Sequence, residues 1–372
     1  MSGNREVTLL AVGDININRE KPETTYTLTA PLLKSADIAF AQLEAAISDR
    51  PCGQVHAPSI CCVPPKNISG ILYAGFNVIS YAGNHTMDSG VDALKDTLDI
   101  LRENGIGVIG AGMNSDEARQ PFIMECKGAK IGFLAFNSVI PAGYAAGPTK
   151  PGCNPIRVTT FYEQIDSQPG TPPNIVTLLN PQDVKAMEED IRALKAKVDT
   201  VIVSMHWGIH FQQSVIPMYE FEVGHLAVDA GADLILGTHA HILKGIEVYK
   251  GKVIFHSLCN FGMDAFMARL MKSPHAQANL KLYKYKPDPE YTTYPFPPDS
   301  RMSILAKVII ADGKITRVSY LPIWINKESV PELLSRSDKR RGEVNQYMEW
   351  LCSDQELDTR FSHEGDEVVV LT

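Results

Sequence analysis

The stretch ADLILGTHAH, Ala232–His241, carries an aliphatic run into a Gly-Thr pair and then sets two histidines one residue apart. The run is short, apolar and continuous, which suits a strand buried on both faces. Packing does not explain the imidazoles at its end, because a buried ring needs a partner for each nitrogen. The same design recurs upstream: VTLLAVG ends in Asp14, DIAFAQL in Glu44, NVISYAG in Asn84-His85 and TVIVSM in His206. In α/β sheets the carboxyl ends of strands line the crevice where ligands bind. Five segments therefore aim their polar residues at one place.

Around these strands the chain alternates β-rich runs with helical patterns through its first two-thirds, the signature of an α/β architecture built on crossover units. Ser89 to Asn104 has helical spacing at Val91, Leu94, Leu98 and Leu101 and closes at Gly105. Pro121 to Phe136 reads as a hairpin about Lys127-Gly128. Residues 141–180, rich in Pro, Gly and Thr, read as a long irregular excursion. From Pro181 the alternation resumes: a helix to Lys197, a strand at Val201–Met205, a helix at Met218–Ala230, a strand at Asp233–Leu236 and the pair GIEVY and KVIFHSL. Between Asp264 and Ser300 five aromatics (Tyr283, Tyr285, Tyr291, Tyr294, Phe296) sit among prolines, as expected of a lid or subunit contact. A strand pair around Asp312-Gly313 and a polar helix near Arg341–Leu351 close the chain. With no internal repeat and no linker, one domain over residues 1–372 is expected, its core at about 5–262, with an insert at 264–300 and carboxyl-terminal strands and helix at 301–372.

Composition narrows the function. A chain of 372 residues that is 44% hydrophobic can bury a large core without staples. Its formal charge of −8, with no Lys/Arg-rich tract, excludes phosphate-backbone binding as the main role. The amino terminus MSGNREVTLLAVGD is too short of apolar residues for a signal, and no window approaches a membrane span, so a cytoplasmic protein without membrane or nucleic-acid partners is expected. Seven cysteines (52, 61, 62, 126, 153, 259, 352) without CxxC spacing read as reduced thiols, and the adjacent Cys61-Cys62 as small buried hydrophobes.

Two carboxylates, an amide oxygen and several imidazoles match the donors of a borderline divalent metal such as manganese, zinc or iron, not the all-oxygen cage of calcium. With one Glu able to bridge, the set is large enough for one or two ions, a pair lying about 3.5 to 4 Å apart. The HxH spacing suits this, because residues i and i+2 share a face in an extended segment and a bend can converge them.

Seven ordered motifs carry a resemblance: GD at 13–14, QLE at 42–44, GNHTMDSG at 83–90, GAGMNSDEARQP at 110–121, HWG at 206–208, GADLILGTHAH at 231–241 and HSLCNF at 256–261. Over roughly residues 5–262 the chain resembles the CapA-type poly-γ-glutamate (capsule) biosynthesis family, of the calcineurin-like metallophosphoesterase superfamily. The resemblance implies a four-layer α-β-β-α sandwich with a dinuclear site at one edge. It places Asp14, Glu44 and His241 on one ion and Asn84, His206 and His239 with the bridging Glu44 on the other. His85 corresponds to the non-ligand histidine that serves the substrate or leaving group, and Asp88 would orient it.

The chain also departs from the family's motifs. Asn16 stands where the first motif has His, which makes a mononuclear site a second expectation; Gly83 replaces Asn, Ala240 replaces Pro, Cys259 replaces Gly, and His210 replaces the Glu after HWG. His210 adds an imidazole and joins His85 and Asp88 as a catalytic candidate. His225, Trp207 and Cys259 read as packing residues, whereas His256, ending the strand KVIFHS, either faces the site or has a structural role. The expected function is a metal-dependent hydrolase acting on a phosphoester or a peptide or γ-glutamyl amide, its partners a small-molecule or peptide substrate and a second copy of the chain. An epimerase-like acid/base enzyme on the same fold and a non-catalytic polymer-biosynthesis accessory protein are the alternatives.

Overall fold

The computed structural model describes residues 6–50, 61–167, 169–265, 267 and 271–372; Cys52 of the cysteine count lies outside them. Two sheets dominate. The first runs in the order Arg360–Glu364, Glu367–Leu371, Lys314–Ile325, Met302–Ala311, Glu6–Asn16, Ile38–Leu43, Val78–Ser80, Gly107–Ile109. Its amino-terminal strands pair in parallel and its carboxyl-terminal strands antiparallel. The second runs Ile246–Tyr249, Lys252–Phe255, Leu234–Thr238, Thr200–His206, Ala129–Asn137, Phe122–Cys126, parallel in the middle with a hairpin on each flank.

The faces of these strands build four layers. Val7, Leu9 and Ala11 alternate onto one side of the first sheet and share a core with Ile131, Phe133, Ala135, Leu234, Leu236 and Phe255 of the second, so the sheets pack face to face. Leu10 and Val12 face the other way, onto Leu94, Leu98 and Leu101 of the helix Gly90–Glu103. On the outer face of the second sheet, Val201, Val203 and Met205 pack on Met187, Ile191 and Leu194 of the helix Pro181–Lys195 and on Val223 and Ala227 of the helix Met218–Ala230. The result is the α-β-β-α sandwich implied by the resemblance, and each inner strand is apolar on both sides because both sides are covered.

One irregularity positions the site. The strand Glu6–Asn16 pairs antiparallel with Met302–Ala311 up to Ala11, then exchanges that neighbour for Asn260–Met263, with a register shift beside Asp14. The Asp14 amide donates to the Cys259 carbonyl at 3.0 Å. A Cβ at Gly13 would lie 1.8 Å from that same carbonyl oxygen, so only glycine permits the close approach.

Three expectations change. The 141–180 segment is irregular only in part: it contains the antiparallel hairpin Val158–Glu163 with Asn174–Leu179, largely exposed on both faces and so lacking apolar alternation. The chain does not end in a helix; after Lys339–Asp354 the hairpin Arg360–Glu364 with Glu367–Leu371, turning at Gly365, completes the edge of the first sheet. The Asp264–Ser300 segment contains the helix Pro274–Leu282. Among the described residues no helix is long and apolar enough to cross a membrane.

Candidate metal centre

Asp14, Glu44, Asn84, His206, His239 and His241 come together where the two sheets meet. Each lies near the end of a strand or follows one, and all six are buried. Around Nε2 of His206 lie Asn84 Oδ1 at 2.9 Å, His239 Nδ1 at 3.1 Å and Glu44 Oε1 at 3.4 Å. A ring nitrogen carries at most one proton, so it cannot satisfy three surrounding lone pairs. Asp14 Oδ1 lies 4.0 Å from Nδ1 of the same ring, and Asp14 Oδ2 lies 3.5 Å from Nδ1 of His241.

Three carboxylate oxygens here, Asp14 Oδ1 and both oxygens of Glu44, are buried without a hydrogen-bond partner. Orphaned acceptors at this density are costly unless a cation completes them. Burial, reinforced by the Asp14 carboxylate, pushes the Glu44 carboxyl well above the usual range. Burial, then the neighbouring imidazoles, holds His206 and His239 well below the ordinary histidine value, which leaves neutral rings with lone pairs to offer. Asp14, Glu44 and His206 can turn one donor atom each toward a common point. The donor set is mixed O and N, so these residues fit a borderline divalent ion.

The backbone that carries two of these donors is bent in an unusual way. His239 and His241 have φ of 92° and 55°, and Cys259 has 66°. Side-chain-bearing residues avoid this region, and a cluster of them marks a site whose surroundings enforce the geometry. Asp14 Oδ2 accepts the backbone N–H of His239 at 3.0 Å. Other partners set the rings: Thr238 Oγ1 lies 3.0 Å from Nδ1 of His206, and Asn260 Oδ1 lies 2.7 Å from Nδ1 of His241. Asn260 in turn donates to Tyr294, whose hydroxyl donates to the Ser300 carbonyl at 2.6 Å. Such outer partners fix ring orientation.

His85 stands at the rim, its Nε2 3.8 Å from Glu44 Oε2 and its Nδ1 2.5 Å from Asp88 Oδ2. Tyr144 donates to the other Asp88 oxygen at 2.8 Å. Burial alone would lower His85; Cys61 and the Asp88 hydrogen bond outweigh it and raise the imidazole well above its ordinary value. His210 stacks on His239 and His241, with centroids 4.0 and 5.1 Å away. Phe211 follows it, packed on His241 and met from the 264–300 segment by Tyr283 at 5.1 Å, Tyr285 at 5.9 Å and Phe296 at 6.2 Å. The aromatic segment thus forms one wall of the site.

The structure brings together every candidate named from the sequence. Asn16 is also buried, its Oδ1 without a partner and its Nδ2 3.4 Å from the Asp264 carbonyl. His256 lies away from the centre, between Glu220 and Glu247, and Cys259 is buried. His225 bonds Glu247 and stacks on Tyr249. Cys61 and Cys62 are half-buried, not buried, and Cys61, packed at the edge of the apolar core, also lies beside His85 and Asp88. Thr238, Asn260, Tyr144 and Phe211 were not singled out from sequence; only Thr238 and Asn260 fall inside motifs that could have flagged them.

Residues 8–265 match the family described as bacterial capsule synthesis protein PGA_cap. The capsule biosynthesis protein CapA of Bacillus anthracis is 28% identical over 289 residues, covering 75% of this chain and 65% of that protein. The PGA biosynthesis protein CapA of Bacillus subtilis is 31% identical over 280 residues, covering 73% and 67%. The chain thus spans about two-thirds of the length of these relatives. A solved calcineurin-like phosphoesterase, YfkN of Bacillus subtilis, aligns over 94% of this chain and 99% of its own at 14% identity and a TM-score of 0.40.

Proposed function

Because the chain belongs to the bacterial capsule synthesis protein family PGA_cap, we propose that it is a divalent-metal-dependent hydrolase of capsule-polymer metabolism, acting on a phosphoester or on a peptide or γ-glutamyl amide. The observation that carries this reading is the cluster of orphaned carboxylate oxygens around the neutral His206 ring. Asp14, Glu44, Asn84, His206, His239 and His241 are the proposed ligands for one or two ions of manganese, zinc or iron. When bound, such an ion supplies Lewis-acid polarisation and acidifies a neighbouring water.

The remaining steps belong to side chains. His85, raised above its ordinary value, holds a proton at Nε2 for the departing atom, and Asp88, pinned by Tyr144, keeps the ring turned toward the site. Gly83 leaves the approach open, since a Cβ there would meet Gln42 at 3.0 Å, Glu44 at 3.4 Å and His206 at 3.8 Å. His210 and Phe211 with Tyr283 present ring faces to the substrate and exclude water from one side.

Elemental analysis of the purified chain tests the centre: about one to two equivalents of metal are expected, and His206→Ala should lose most of it. Full retention by that variant overturns the proposed ligands. Turnover of phosphoester, ester and amide substrates with added manganese or zinc then assigns the reaction. Full metal content with no turnover of any of them would favour an accessory role.

A further inference from the structure

The hairpin Val158–Glu163 with Asn174–Leu179 stands outside both large sheets. Its strands pair with each other, and among the described residues no third strand joins them. A two-stranded ribbon alone in water is marginal and needs a further strand or a packed face. Here support reaches the base, where Val158 and Leu179 pack on the core outside the second sheet. Farther out, Phe161, Tyr162, Ile175 and Leu178 are 49%, 73%, 56% and 53% exposed.

The two edges of the ribbon differ. Asn174–Leu179 lies against the helix Met218–Ala230, since Thr177, Leu178 and Leu179 line one groove with Met218 and Glu222. Val158–Glu163 is therefore the outer edge. Edge strands are commonly guarded against pairing by lysines, prolines or bulges. This one, VTTFYE, has no lysine and no proline, and its ladder runs without a register shift. The direction of its backbone groups follows from the residue before it. The Arg157 carbonyl accepts the Asn180 amide at 2.8 Å, so the polar groups of Arg157 face the neighbouring strand. Alternation then turns those of Thr159, Phe161 and Glu163 the same way and leaves those of Val158, Thr160 and Tyr162 facing outward.

That outward row is complementary to itself. Two antiparallel copies related by a two-fold axis perpendicular to the ribbon keep each residue on its own face, so outward residues meet outward residues. With the axis at Thr160, Thr160 meets its own copy and Val158 meets Tyr162 of the partner subunit, so every outward backbone group of the strand finds a partner. On the alternate positions Thr159 meets the partner's Phe161, and Glu163 meets the partner's Arg157. Opposite charges and aromatic or β-branched residues face one another, the pairs that stabilise sheets. Both charged groups are reachable: the Arg157 side chain, bonded to Asp183, is 53% exposed, and Glu163 is exposed, bonding Asn174 Nδ2 at 3.1 Å. Sliding the pairing one step either way sets Glu163 against Thr159 or Pro155 and leaves outward groups of the strand without their mates.

We propose that Val158–Glu163 is a dimerisation strand, along which two copies of this chain join into a continuous four-stranded antiparallel sheet about an axis at Thr160. The contact closes on itself, because each copy spends its one outer edge on the other. The hairpin is reached from Asn137, the register partner of His206, through the segment whose Tyr144 bonds Asp88. The interface thus lies on the stretch of chain that leaves the candidate metal centre, yet it needs no metal and does not depend on the hydrolase reading.

Light scattering of the full chain over a dilution series tests this. At the concentrated end the mass should be about twice the 40.9 kDa of one chain. Thr160→Lys and Thr160→Glu each set like charges face to face on the axis and should each weaken association about five-fold or more. An equimolar mixture of the two should restore the dimer through a Lys–Glu pair, which also shows that both variants are folded. Hydrogen exchange reads the register: the amides of Val158, Thr160 and Tyr162 should lose protection on dilution, while those of Thr159, Phe161 and Glu163 keep theirs. A chain that stays monomeric at every concentration overturns the proposal, even if its hairpin takes up an added extended peptide. So does a dimer that Thr160→Lys leaves unchanged, a mixture that associates no better than either variant alone, or an assembly that grows beyond two copies.

Discussion

Replacing Glu44 by Gln separates what the carboxylate does for a bound ion from what it does to the fold. Without metal, Glu44 is a buried acid beside Asp14, held well above its usual range by burial and by that neighbour. A carboxyl whose folded value is raised keeps its proton in the folded chain at pH values where the unfolded chain has released it. Stability therefore falls as pH climbs from about 4.3, the unfolded value, toward the folded one. The amide introduced by Glu44→Gln has no such titration. The metal-free variant should accordingly melt with the wild type near pH 4 and above it at pH 8. Metal reverses the order. A ligand at a hundred times its dissociation constant stabilises by about 2.7 kcal/mol. With about 2.1 cal/mol/K of unfolding entropy per residue, 372 residues give about 0.8 kcal/mol/K, so the wild type should gain about 3 °C, and about 2 °C more for each further decade of metal. The variant, lacking a proposed ligand, should show a slope near zero. Differential scanning calorimetry over a manganese or zinc series at pH 5 and 8 reads both effects. A metal-free Glu44→Gln protein that melts below the wild type at pH 8, or one that climbs with metal as steeply as the wild type, would refute the reasoning.

Other substitutions test the frame around the site. Gly13→Ala forces a Cβ to within 1.8 Å of the Cys259 carbonyl, a clash with backbone that cannot rotate away, and should cost more than about 3 kcal/mol in a urea titration. Asp14→Ala removes the acceptor of the His239 amide together with the neighbour of His241, so unlike Glu44→Gln it should lower the melting temperature whether or not metal is present. His256 lies between Glu220 and Glu247; burial lowers its value, but hydrogen bonds and charge from the two carboxylates raise it on balance. The stability it contributes is complete below its unfolded value of about 6.5 and is lost as pH rises through the higher folded one. His256→Phe should therefore cost most near pH 5.5, about 3 kcal/mol as for a broken buried pair, with the gap narrowing toward pH 9 in denaturant titrations.

The site was legible because its residues lie at strand ends, and strands buried on both faces announce themselves as continuous apolar runs. VTLLAVGD and TVIVSMH could be read without knowing their neighbours, and parallel packing then carries Asp14 and His206 to the same edge. The Val158–Glu163 hairpin was not legible for the opposite reason: its residues are exposed on both faces, so composition, not periodicity, governed the reading. Arg360–Glu364 is polar and solvent-facing, and only its pairing with Glu367–Leu371 makes it a strand. Cys61 carried no signal, since its meaning comes from His85 and Asp88, which reach it through the fold. Nor does sequence mark the left-handed backbone at His239 and His241, because neither is Gly, the residue that adopts it freely.

That left-handed backbone ties the metal centre to the architecture. Residues in this region cost on the order of 1–3 kcal/mol each and persist only where surrounding contacts over-determine them. Here the compensation can be traced. The exchange of neighbours along Glu6–Asn16 at Gly13 lets Asp14 bond the Cys259 carbonyl through its amide and the His239 amide through its carboxylate. Asp14 thus joins one segment of each sheet, and Asn260, the register partner of Asp14, fixes His241. The imidazoles are held by contacts that need no ion, whereas both oxygens of Glu44 lack a hydrogen-bond partner. Geometry at this candidate centre therefore precedes binding: the fold supplies the strained turn and the ring orientations, and Glu44 is the carboxylate whose burial an ion would offset.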